Sequence, residues 1–224
     1  MRKDIEIRSC VDMVDLVNEW GFLPLFKNDV KGFSVEEHTP KELWFADDAE
    51  GPWEWKGPTI RESGCAYGKF FRNKAVFISY EWYKDFCNYR RDGYDYDARY
   101  DDGLAVYRDK TVYDILEQYP SLLSKDLKSL WEQSFPKKGF DVSISRLQML
   151  GYVTTVDFEY MRDKTGKVYG WGVAKYATPE AHFGEDFKST VYKRSPEESK
   201  QRILEHLSSI FPEADEKDIL KLIG

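Results

Sequence analysis

Residues 140–177 read FDVSISRLQMLGYVTTVDFEYMRDKTGKVYGWGVAKYA, and two periods meet inside this stretch. In its first third Phe140, Ile144, Leu147 and Gly151 share one narrow stripe at about 100° per residue, while Ser145, Arg146 and Met149 point the other way. Asp141 stands where an N-cap is wanted and Gly151 where a left-handed C-cap is wanted, so the spacing predicts a helix. Beyond Tyr152 the period drops to two. YVTTVDFEYM and VYGWGVAKYA alternate on either side of RDKTGK, whose Lys164, Thr165 and Gly166 supply turn chemistry, and a hairpin is predicted.

Upstream, KTVYDILEQY presents Val112, Ile115, Leu116 and Tyr119 on one face, and LLSKDLKSLW presents Leu123, Leu127, Leu130 and Trp131. Three helices followed by a two-stranded hairpin is the order of a winged helix-turn-helix unit, assigned to residues 110–178. Residues 1–92 read as a second such unit. In VDMVDLVNEW, Met13, Val14, Val17 and Trp20 recur at helical spacing before Gly21. Residues 22–52 are irregular and acidic. GPWEWKGPTIRESG has room only for a short helix starting near Trp53 or Pro58. CAYGKFFRNKAVFIS reads as a hairpin turning at Arg72 and Asn73, and EWYKDFCNYR as a helix with Trp82, Phe86 and Tyr89 on one side.

Residues 93–109 connect the two units; with residues 88–92 they read NYRRDGYDYDARYDDGLAVY, plus RD. The arginines and aspartates here predict local ion pairs, with Arg90, Arg91 and Arg99 also offered to phosphates. Residues 179–224 form a tail of two amphipathic helices. Ser195, Pro196 and Glu198 open the first as N-cap, N1 proline and capping box, and Pro212 interrupts before ADEKDILKLI. The tail is expected to pack on the 110–178 unit or on a second copy of the chain. The expected fold is α+β: tandem winged helix-turn-helix units with a C-terminal helical tail.

Composition narrows the function. The sequence has no apolar run long enough for a membrane span, and MRKDIEIRSC alternates charge where a signal peptide would be apolar, so a soluble, cytoplasmic protein is expected. Cys10, Cys65 and Cys87 and His38, His182 and His206 are scattered without zinc or disulfide spacing. DARYDDG puts Arg99 where a calcium loop needs an oxygen ligand, and no nucleotide-binding glycine motif occurs. Neither metal nor cofactor is expected. The net charge is −7, yet residues 61–91 carry 7 Lys/Arg against 3 Asp/Glu and residues 121–178 carry 9 against 6. An anionic partner would therefore meet two basic segments on an acidic body.

Within a winged unit the third helix can enter the major groove and the wing can follow the backbone. Lys137 and Lys138 precede that helix at its positive end, Ser145 and Arg146 can reach base edges, and Arg162, Lys164 and Lys167 are spaced for phosphates. Arg72 and Lys74 hold the same place on the first hairpin. These residues, with Arg90 and Arg91, are the candidate nucleic-acid contacts. Gln148 flanks the buried stripe and is expected to bond nearby backbone.

GPWEWKGPTIRESGCAYGKFFRNKAVFISYEWY resembles the middle of the AlkZ-type winged-helix DNA glycosylases, through Trp53, Trp55, Lys56, Gly68, Phe71, Arg72, Lys74, Val76 and Phe77. YGKFFRNKAVFIS, YRRDGYDYDARYDDGLA, RLQMLGYV, YGWGV and RSPEES make the whole chain similar to the short bacterial proteins related to AlkZ. The resemblance implies tandem winged helices, damaged-DNA binding and a place in DNA repair. The enzymes position water with Gln, an apolar residue, then Gln or Asp. No such triplet occurs here: Gln148 is followed by Met149 and Leu150, and the catalytic residues are left unassigned. Three readings stay open: a DNA-binding relative without the chemistry, a glycosylase using a divergent carboxylate such as Asp141 or Asp157, and a protein-interaction module.

Overall fold

The computed structural model describes residues 5–45, 50–135, 138–162, 164–165 and 168–224, with the backbone alone at 162 and 168–171. Its elements, in order, are α1 (Cys10–Trp20), β1 (Phe22–Pro24), α2 (Val35–His38), a 3-10 turn (Lys41–Trp44), α3 (Pro52–Ser63), β2 (Ala66–Phe71), β3 (Lys74–Ile78) and α4 (Tyr80–Arg91). There follow α5 (Tyr96–Asp101), α6 (Tyr107–Glu117), β4 (Leu122–Leu123), α7 (Ser124–Glu132), α8 (Phe140–Met149), β5 (Thr154–Arg162), β6 (Val168–Ala177), α9 (Pro179–Thr190), α10 (Pro196–Ile210) and α11 (Glu216–Ile223).

The fold is mixed α+β around a single antiparallel sheet of strand order β1-β3-β2-β5-β6-β4. That order reads the same from either end. In each half a helix leads into a short outer strand, helical segments follow, and a hairpin returns beside the outer strand. The halves meet where β2 and β5 pair at Tyr67 and Thr155. Beside that contact the Thr154 hydroxyl takes the Tyr67 N–H and gives its own proton to the Tyr67 carbonyl, both at 3.3 Å.

Local chemistry explains most boundaries. Ser9 caps α1 by accepting from the Asp12 N–H, and Gly21 ends it at φ 72° with its N–H on the Val17 carbonyl. Leu16, not Val14, joins Met13, Val17 and Trp20 in the core. Helix α3 is longer than the sequence suggests, because it runs straight through Pro58. Its first turn is secured by the Glu54 carboxylate on the Gly51 N–H at 3.0 Å. Buried Trp55 and Ile60 then hold it in place, so packing outweighs the missing proline hydrogen bond. On α4 the buried face is Tyr83, Phe86 and Cys87 rather than Trp82 and Tyr89. Tyr113 of α6 is buried, and Tyr119 lies beyond the end of the helix and is exposed. Gly139, not Asp141, is the N-cap of α8.

Two cores flank the sheet. The smaller is built from neighbouring segments: Tyr96, Val112, Leu116, Leu127, Trp131, Ile144, Leu147 and Tyr152. The larger lies under α1, α3 and α4, and is completed by Phe187, Ile203, Leu204, Leu207, Phe211 and Ile223 from the chain's last helices. The tail therefore docks on the N-terminal half and not on the 110–178 segment. Asp85 of α4 explains the choice: its carboxylate accepts from the Ser199 hydroxyl at 2.8 Å and from Arg202 Nε at 3.1 Å. Asn88 donates to the Arg194 carbonyl and to Ser199 Oγ beside it. The tail holds three helices rather than two, α9 being opened by Thr178 as N-cap and Pro179.

Candidate nucleic-acid interface

Among the proposed contacts, Arg72 and Lys74 stand where a ligand could reach them. They flank the tip of the β2–β3 hairpin, whose two turn residues, Arg72 and Asn73, both take left-handed angles of φ 49° and 63°. Such a two-residue turn matches the twist of the flanking strands and normally carries Gly or Asn. An arginine there costs about 1–2 kcal/mol of backbone strain. Its side chain remains 52% exposed.

Of the arginines in the 88–110 stretch, Arg91 is spent inside the fold, whereas Arg90 and Arg99 are half-buried. Arg91 is fully buried and cannot meet a phosphate. Its guanidinium reaches the Glu180 carboxylate at 2.5 Å, the Tyr192 hydroxyl at 2.9 Å and the Gly151 carbonyl at 2.7 Å, with its carbon 4.5 Å from the Tyr152 ring centre. Glu180 and burial act on Arg91 in opposite directions, and the pair keeps the guanidinium charged. Arg90 donates to the Met149 carbonyl at 3.0 Å and to the Gly224 carbonyl at 2.6 Å. Arg99 donates to the Arg91 carbonyl at 3.4 Å. In the 93–109 connector Asp97 pairs with Lys110 at 3.1 Å and Asp109 with the distant Arg146 at 2.8 Å; Tyr96 is core, stacked on Tyr113 with ring centres 4.4 Å apart. This segment is a structural joint.

Helix α8 is likewise turned inward along much of its length. Ser145 is buried against β2, where its hydroxyl accepts from Lys69 Nζ at 3.4 Å. Gln148, also buried, accepts the Lys69 backbone N–H at 3.1 Å and donates to the Thr155 hydroxyl at 3.4 Å, as a glutamine bonded to nearby backbone should. Arg146 is partly exposed but paired to buried Asp109 at 2.8 Å. Ahead of the helix, exposed Lys138 lines a cleft of about 510 Å³ with Lys128, Trp131, Glu132 and Asp141. Lys164 is exposed near the second hairpin tip. Lys137, Lys167 and the Arg162 side chain lie outside the described residues.

The tryptophan-lysine motif fastens the two halves together. Trp53 sits in a cluster with Phe26 and Trp44, and its carbonyl accepts from the Tyr160 hydroxyl at 3.3 Å. Lys56 lies 5.1 Å from the Trp53 ring centre and 4.4 Å from that of Phe158 on β5, and burial lowers its pKa. Nearby, Asp157 receives Arg61 at 2.5 Å and the Phe158 N–H at 2.8 Å. Of the two carboxylates considered for water activation, Asp157 is thus engaged and Asp141 is solvent-exposed.

Sequence reading missed the cations that folding brings to the first hairpin tip. Lys74 Nζ donates to the Lys27 carbonyl at 3.4 Å, and Lys221 of α11 reaches Asp29 at 2.7 Å. Asp29 also receives Arg72 at 3.5 Å. Lys221 and Asp29 are 192 residues apart, and no local pattern could have paired them.

Among the described residues no helix is long and apolar enough to cross a membrane, and no three His, Cys, Asp or Glu side chains are grouped to hold a metal ion. No curated protein and no solved structure matches the chain. A model of the AlkZ-related family matches residues 7–224, nearly the whole length, and the chain belongs to that family.

Proposed function

We propose that this is a duplex-DNA-binding protein of DNA repair, built from two winged-helix units and gripping phosphates chiefly through its hairpin tips. The observation that carries the reading is the AlkZ-related match across residues 7–224. The repeated order of helix, outer strand, helices and hairpin supports the two-winged assignment, since a short strand beside the hairpin is what closes a wing on its helices. Exposed Arg72, Lys74, Lys138 and Lys164 supply the positive charge.

Base-edge reading by Ser145 and Arg146 of α8 is not part of the proposal, because Ser145 is buried against Lys69 of β2 and Arg146 is paired to buried Asp109. Nor is base excision through a glutamine-led water. Gln148 has both ends of its amide engaged, Asp157 is paired to Arg61, and Asp141 stands exposed to solvent.

Fluorescence anisotropy of a labelled duplex, intact or carrying an abasic-site analogue, tests this across a salt series. The expected result is affinity that falls with a logarithmic slope of about −0.9 for each phosphate contacted. Tighter binding to the abasic analogue would tie the protein to damaged DNA. Absence of binding at low salt would overturn the proposal.

A further inference from the structure

The tip of the β2–β3 hairpin is a composite surface. Lys27, Arg72, Lys74 and Lys221 come from a loop, a turn, a strand and the last helix, and all four are exposed. Lys221 is held outward because Ile219, Leu222 and Ile223 on the same helix are buried in the larger core. Lys27 is fixed through its backbone, its N–H on the Glu36 carboxylate at 2.9 Å and its carbonyl taking Lys74 Nζ. Arg72, held at a left-handed φ of 49°, completes the set.

One carboxylate stands in the middle. Asp29 holds Lys221 at 2.7 Å and Arg72 at 3.5 Å, and its side chain is 46% exposed. Carboxylate and phosphate oxygens ask for the same donors, so a phosphate arriving here competes with Asp29 for both cations.

We infer that the N-terminal hairpin tip and the C-terminal helix together form a phosphate-binding clasp for the DNA backbone, with Asp29 as an internal competitor that weakens its grip. The inference rests on the DNA-binding reading above. It adds that the last helix contributes directly to the contact and that the protein binds DNA less tightly than its cations allow.

The test is the same duplex titration over a salt series with wild type, Lys221→Ala, Asp29→Asn and Glu19→Gln. The last makes an equal charge change on the exposed face of α1. Thermal melting of each variant runs alongside. Lys221→Ala should bind several-fold more weakly, with a salt slope shallower by about 0.9, the value of one lost phosphate contact. Asp29→Asn should bind several-fold more tightly than Glu19→Gln, with a steeper slope and cooperative melting. If wild type binds no duplex, both the clasp and the DNA reading fall. If wild type binds but Asp29→Asn matches Glu19→Gln, or weakens binding while lowering the melting temperature, the clasp alone is overturned and Asp29 is a structural anchor for α11.

Discussion

The larger core draws on α1, α3 and α4 and then waits for helices beyond residue 186, whereas the smaller core is assembled from segments between residues 96 and 153. One half is therefore closed by distant chain and the other by near neighbours. The joint between them combines ring packing, Phe158 of β5 against Tyr67 of β2 at 5.7 Å between centres, with polar groups. Arg91, Lys69, Gln148 and the Thr154 hydroxyl cross it, backed by Lys56 between two rings. The buried polar groups fix one docking geometry, because each group left unpaired by a slip would be costly.

Arg91→Ala is the strongest blow to this arrangement. It leaves the Glu180 carboxylate without its cation at the junction of α4, α9 and the smaller core, while Tyr192 keeps the Tyr94 carbonyl and the Gly151 carbonyl keeps the Cys87 thiol; the expected cost is about 3–5 kcal/mol in urea unfolding. If the two halves unfold as one, the transition stays single; if each core unfolds on its own, two transitions with unequal denaturant slopes separate. Gln148→Ala cuts the joint without removing a charge. A loss of about 1–3 kcal/mol is expected, since the Lys69 N–H and Thr155 hydroxyl lose their partner at a partly buried site.

The tail gives a pH test. His206 stacks on Trp82 with ring centres 4.0 Å apart and its Nε2 donates to the Trp20 carbonyl at 2.9 Å. Burial lowers its pKa, as it does for His182 on α9. A histidine with a folded pKa below its unfolded value of about 6.5 contributes fully above that pH, and the contribution is lost as pH falls through the folded value. Melting temperature should therefore drop between about pH 7 and 5, and His206→Gln should flatten part of that drop. A profile unchanged by the substitution would remove His206 from the account.

The smallest effect is expected at the hairpin tip. Arg72→Gly relieves left-handed strain but frees the unfolded chain, for a net gain below about 1 kcal/mol. The same change should weaken DNA binding. A stabilised variant that binds normally would show that Arg72 sits in its strained turn without serving the ligand.

How much of this could be read in the sequence follows from where each element finds its partners. Helix α10 carries its own start signal in Ser195, Pro196 and Glu198, and the β2–β3 hairpin carries its turn in Arg72 and Asn73. Both were legible. Helix α3 was not, since Pro58 argues locally for a break that Trp55 and Ile60 overrule by burial. Strands β1 and β4 are too short to show alternation, though each sets one outer edge of the sheet. Arg91 misled because arginine is normally a surface residue, and its acidic partner is 89 positions away. Glycine 151 was read as a helix terminator, which it is at φ 77°; that a side chain there would also strike the Cys87 sulfur at 2.9 Å could not be foreseen. That sulfur is sealed as well, its thiol pushed up to about 12 by burial.

The antiparallel meeting of β2 and β5 sets a length. From the Tyr67–Thr155 contact the two strands run in opposite directions toward their own hairpin tips. Five positions lead from Tyr67 to Arg72 and seven from Thr155 to Arg162, so at about 3.3 Å per residue the two ends lie at most about 40 Å apart, the register shifts in both strands shortening the span. One turn of B-form duplex measures roughly 34 Å. The sheet is thus about as long as one turn, and under the proposed DNA-binding reading a duplex of about ten base pairs is too short to be touched at both tips.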